Sequence, residues 1–89
     1  RILSISQKTV RERIAETLVL LHYQFGSSDN HSINVKLTRK EIGNTAGSTI
    51  ETTIRTLSEL KKEGIIEFDG KDIIIKNIAE LINIANIQN

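Results

Sequence analysis

Glu51 and Arg55 stand four residues apart within Ser48-Thr49-Ile50-Glu51-Thr52-Thr53-Ile54-Arg55, a stretch whose apolar spacing is helical. Four residues make about one turn, so the carboxylate and the guanidinium share a face. An arginine fork can bond both acceptors of a guanine edge, and a glutamate can accept from a cytosine amino group. In a major groove the pair could therefore read base edges. The same two side chains could form a plain surface ion pair, and Glu51 also stands where a capping box wants an acid. A negative charge close to phosphates makes sense only if it discriminates between bases. Ile50 and Ile54 fall between this pair and the apolar side formed by Thr53, Leu57 and Leu60. Either they widen the buried stripe, or one of them, Ile54 before Ile50, meets a thymine methyl.

A second group combines hydroxyls and cations at helix starts. Thr38, Arg39 and Lys40 open one helical stretch, Thr49 and Thr52 open the next, and Lys71 follows Gly70 in a turn. Hydroxyls and amides at a helix start are ready partners for phosphate, and the helix dipole has the right sign. For Thr38, capping and phosphate contact are compatible. Lys40 is either a diffuse positive charge or a solvated lysine. Lys71 either reaches a flanking phosphate or is an ordinary turn residue.

Other chemistries find no constellation. His22 and His31 lack partners at ligand spacing, so no metal site is expected. Ser27-Ser28, Asp29 and His31 have neither a nucleophile elbow nor an oxyanion hole beside them. Gly43 and Gly47 do not make a phosphate loop. With no cysteine, disulfides, thiol catalysis and thiolate-held metals are absent from this stretch. The sequence predicts neither an enzyme nor a cofactor in this domain.

The elements that must position these residues follow from periodicity and punctuation. Val10, Ile14, Leu18, Leu21 and Phe25 recur at helical steps, with Arg11, Glu12, Arg13 and Glu16 on the other face. A helix is expected from Thr9 to Phe25, ended by Gly26 and a polar loop, with Ser6 or Thr9 as its cap. Ile33, Val35 and Leu37 alternate with polar residues, predicting a short strand. Thr38-Arg39-Lys40-Glu41 is a capping box for a helix from Arg39 to about Ala46, stopped by Gly47. Ser48 with Glu51 reads as a second box, opening a longer helix of about 49–63 that ends at Lys61, Lys62 and Gly64. Asp69-Gly70 between two β-branched runs signals a hairpin. Asn77 caps a last helix bearing Ile78, Leu81, Ile82 and Ala85. That helix, with Ile84 and Ile87 also apolar, is packed by a further region or a partner chain, or else frays. The fold class is α+β: a helix-turn-helix with a wing.

Bulk properties agree with one small domain. The 89 residues are 38% hydrophobic and 26% charged, which is globular composition. No apolar run approaches the roughly 18 residues needed to cross a bilayer, so no membrane partner is expected. Twelve Lys and Arg against eleven Asp and Glu give a net charge of +1. The balance conceals an uneven distribution, since Arg39, Lys40, Arg55 and Lys71 belong to the helix starts, groove face and wing tip. Glu59, Glu63, Glu67 and Glu80 lie elsewhere.

Leu37-Thr38-Arg39-Lys40-Glu41-Ile42-Gly43 through Gly47, then Glu51-Thr52, Arg55, Leu57 and Leu60, then Glu63-Gly64-Ile65-Ile66 before Asp69-Gly70-Lys71, resemble a known family in order as well as type. Val10 to Leu18 is similar to the helix that leads into the same domain. Over roughly residues 9–76 the chain resembles the C-terminal DNA-binding domain of Crp/Fnr-type bacterial transcription regulators. The resemblance implies a winged helix that binds double-stranded DNA in a cytoplasmic regulator. It implies base reading at Glu51 and Arg55, and backbone contacts at Thr38, Arg39, Thr49 and Thr52. It also implies a preceding effector domain and dimerisation helix. Residues 1–8, which open on Arg1 rather than Met, would be the tail of that connection, with 9–89 the domain itself. RNA polymerase and a second copy would be its protein partners. A winged helix used for protein–protein contact is the alternative, favoured by Ile50, Ile54 and the near-neutral charge.

Overall fold

A computed structural model describes residues 8–25 and 37–87. Helix α1 (Val10–Phe25) is followed by α2 (Arg39–Ala46), α3 (Ile50–Lys62), strands β1 (Ile66–Asp69) and β2 (Asp72–Ile75), and α4 (Ile78–Ala85). The expected strand around Ile33 and Val35 lies outside the described residues. Leu37, at its end, is not in a strand and packs half-buried against the core.

Local chemistry sets the helix boundaries. Thr9 and Glu12 form a reciprocal capping box, with Glu12 N donating to Thr9 Oγ1 at 3.1 Å and Thr9 N donating to Glu12 Oε1 at 2.7 Å. Thr38 and Glu41 repeat it at α2, at 3.1 and 2.8 Å. Helix α2 ends where Gly47 takes a left-handed conformation, φ 71° and ψ 39°. There Gly47 N donates to Asn44 O at 3.2 Å and Ser48 N to Gly43 O at 2.7 Å, the paired bonds of a Schellman motif. That second bond corrects the expected cap of α3. Ser48 is held in the turn, so Thr49 caps instead, its hydroxyl accepting from Thr52 N at 3.2 Å. Glu51 is thereby one residue too early for the capping-box role, so no second box forms.

The hairpin is also shifted by one residue from its expected turn. Asp69 pairs with Asp72, so the loop is Gly70-Lys71 rather than Asp69-Gly70. Gly70 has φ 62°, the positive value wanted at the first central position of a type II′ turn. Register follows burial. Ile66 faces Ile75 and Phe68 faces Ile73, so these four share the side turned to the core.

Ile14, Leu18, Ile42, Leu57, Leu60, Ile66, Ile75 and Leu81 are the large, fully buried side chains. Each contributes about 1.5–3 kcal/mol relative to exposure. A two-stranded hairpin is marginal alone, so the wing depends on this shared core. Helix α4 docks on the domain itself. Leu81 and Ala85 are buried, Ile78, Ile82, Ile84 and Ile87 pack partly against the core, and α4 lies along α1.

Candidate nucleic-acid interface

Helix α3 divides cleanly. Thr53, Thr56, Leu57 and Leu60 are buried, while Ile50, Glu51, Ile54, Arg55 and Ser58 are exposed. Ile50 and Ile54 are 46% and 49% exposed, which overturns the expectation that they widen the buried stripe. The core edge stops at Thr53 and Leu57, and no described residue covers the two isoleucines. Among the described residues, no ion pair or hydrogen bond ties down Glu51 or Arg55, so the surface ion-pair alternative is not formed. Ser58 joins this face one turn beyond Ile54. Sequence reasoning passed over it because serine marks no chemistry there without the exposed face around it.

The angle at which α3 is presented depends on close packing beneath it. Gly43 lies so near α3 that a Cβ built on it would stand 2.5 Å from Thr53 Oγ1 and 3.2 Å from Ser48 O. The Thr53 hydroxyl is buried and donates to Thr49 O at 2.7 Å. Arg13, expected on a polar face, instead clamps the turn. Its Nε donates to Ala46 O at 2.8 Å, and its two terminal nitrogens to Lys8 O at 2.6 Å and Gly47 O at 3.4 Å. The carbonyl end of α2 is where a cation suits the helix dipole. Its side-chain type and helical position gave no signal for this, because the α2 acceptors lie more than thirty residues away.

The wing tip and the start of α2 are joined by Arg39. Its guanidinium sits 4.9 Å from the centroid of the Phe68 ring and donates to Lys71 O at 3.1 Å. Leu37, Thr38, Arg39, Gly70 and Lys71 line an open cleft of about 540 Å³. The structure thus brings together Thr38, Arg39 and Lys71. Lys40 is exposed on the first turn of α2, while Thr49 and Thr52 stand at the start of α3. The Thr38 amide is committed to Glu41, but its hydroxyl proton remains available to donate. Thr49 Oγ1 is in the same position at α3.

Several acidic groups away from this region are paired internally. Arg11 meets Glu63 at 2.6 Å and Glu59 at 3.6 Å, and Lys61 meets Glu67 at 3.6 Å. Hydrogen bonding to Glu63 holds the Arg11 guanidinium above its usual range. The Glu67 carboxyl is held below the usual range, first by the Phe68 amide and then by Lys61. Among the described residues no group of three or more His, Cys, Asp or Glu could hold a metal. None of the described helices is long and apolar enough to cross a membrane.

The model of the Crp-like helix-turn-helix domain matches residues 12–84. The chain belongs to that family. Its relatives include the fumarate and nitrate reduction regulatory protein of Vibrio cholerae, 36% identical over 88 residues, covering 97% of this chain and 35% of that one. Electron transport regulator A of Shewanella oneidensis is 39% identical over 82 residues, covering 90% and 33%. FixK2 from Bradyrhizobium japonicum superposes with a TM-score of 0.83 at 29% identity, over 96% of this chain and 42% of that chain. The chain spans about a third of the length of the curated relatives it matches. The Crp-like domain's role is DNA binding in bacterial transcription regulation, and its relatives are regulators rather than enzymes. These matches lend no support to the protein-binding alternative.

Proposed function

We propose that α3 enters the major groove of double-stranded DNA, where Arg55 bonds a guanine and Glu51 accepts from a cytosine amino group. Thr38, Arg39, Lys40, Thr49, Thr52 and Lys71 meet phosphates and fix the register without reading sequence. The observation that carries this reading is the α3 face opposite the buried stripe, where Glu51 and Arg55 are exposed and held by no neighbour among the described residues. An acid and a base left untied on a helix whose other face is core are available to a partner.

In this reading the domain is the output part of a longer cytoplasmic regulator. Two copies, held by a region beyond this sequence, meet half-sites about 10–10.5 bp apart or multiples of that spacing. RNA polymerase is then the second protein partner, and the domain needs no cofactor of its own. The test is selection of bound sequences from a random DNA pool by two copies of the chain joined through a dimerising helix. Enrichment of a two-fold motif is the expected result, and enrichment of none overturns the reading.

A further inference from the structure

We infer that Ile54, supported by Ile50, is a specificity-determining residue that selects thymine through its C5 methyl group, beside the base pair read by Glu51 and Arg55. The inference rests on the groove-binding reading above and adds a base identity to it. Ile50 and Ile54 are one turn apart, each about half exposed, and adjoin the two charged residues along one exposed face. No described element covers them, and the core beneath is already closed by Thr53, Leu57 and Leu60. An aliphatic ridge on a groove-facing helix needs an apolar complement. Among the four base pairs, the major groove offers one such feature, the thymine methyl. Polar edges elsewhere would be desolvated by an isoleucine with no hydrogen bond returned.

The test replaces thymine by uracil, which removes the methyl and leaves every hydrogen-bonding group in place. The duplex is the best sequence recovered from the pool selection, with thymines exchanged one position at a time. Binding is measured for wild type, Ile54→Ser, Ile50→Ser and the conservative Ile54→Val. Wild type should lose about fourfold in affinity per contacted methyl in each half-site. Ile54→Ser should bind thymine and uracil duplexes equally, while Ile54→Val keeps most of the difference. Far-ultraviolet circular dichroism shows that each variant is folded, as exposed positions allow. A selected motif that wild type binds equally with uracil overturns the thymine inference and leaves groove binding standing. So does a uracil effect that survives in both serine variants. Recovery of no motif overturns both.

Discussion

Replacing Gly43 by alanine tests the packing that sets the angle between α2 and α3. In the middle of a helix, alanine is favoured over glycine by about 1 kcal/mol. Here the new methyl would stand 2.5 Å from Thr53 Oγ1 and 3.2 Å from Ser48 O. Neither neighbour can yield cheaply. The Thr53 hydroxyl is fully buried and bonded to Thr49 O, and Ser48 O belongs to the turn backbone. Overpacking at such a site costs about 1–3 kcal/mol. The clash should outweigh the propensity gain, for a net loss of up to about 2 kcal/mol, or up to about 16 °C in Tm for a domain of this size. The assay is thermal and urea unfolding of the chain, followed by circular dichroism. A double variant sharpens it, because Thr53→Ala removes the nearest atom. Thr53→Ala alone should cost about 0.5–1.5 kcal/mol through loss of its hydrogen bond. With the hydroxyl gone, Gly43→Ala should cost clearly less than it does alone, giving a non-additive cycle. Gly43→Ala melting at or above wild type would refute the close approach. A double loss equal to the sum of the two singles would refute the role of Thr53.

Other outcomes follow from the same geometry. Arg13→Ala removes hydrogen bonds to the Ala46 and Lys8 carbonyls and should cost about 1.5–3 kcal/mol in urea unfolding, discounted toward the lower end by partial exposure. Arg55→Ala should leave Tm unchanged and relax selection at one base pair per half-site, by about 1–3 kcal/mol in competitive binding. Lys71→Ala should weaken all sequences alike and make the slope of log K against log salt shallower by about 0.9 for each phosphate that the lysine neutralises. The Glu67 carboxylate, held below its ordinary value, contributes stability at pH above about 4.5 that fades as pH falls through its lowered value. Glu67→Gln should flatten that small part of an acid titration of stability.

Much of the fold was legible because its punctuation is local. The Thr38 box, Gly47, Gly64 and Asn77 each act within a turn, and α2 runs over the residues expected. Sequence and structure part where two adjacent residues have equal claims. Ser48 and Thr49 can both cap a helix, and the choice is made by Ser48 N reaching back to Gly43 O. Asp69-Gly70 and Gly70-Lys71 can both form a hairpin loop, and burial of Ile66 opposite Ile75 decides between them. At the candidate interface, residue type and spacing singled out Glu51 and Arg55. The exposure of Ile50 and Ile54 was not legible, because a helical wheel puts them on the margin between core and water. Only the three-dimensional edge of the core could place them. Arg13 and the Arg39–Phe68 stack depend on distant segments meeting, which no window of sequence displays.

Among the described residues no side-chain hydrogen bond or ion pair holds positions 50, 51, 54, 55 and 58 of α3, while the opposite face of the helix carries much of the core. Stability and sequence preference are therefore written on separate residues of one helix. Substitutions at positions 50, 51, 54, 55 and 58 can accumulate without passing through an unfolded intermediate, since none of these side chains is part of the core. A duplicated copy of this domain could drift toward a new target site one side chain at a time, remaining folded at every step.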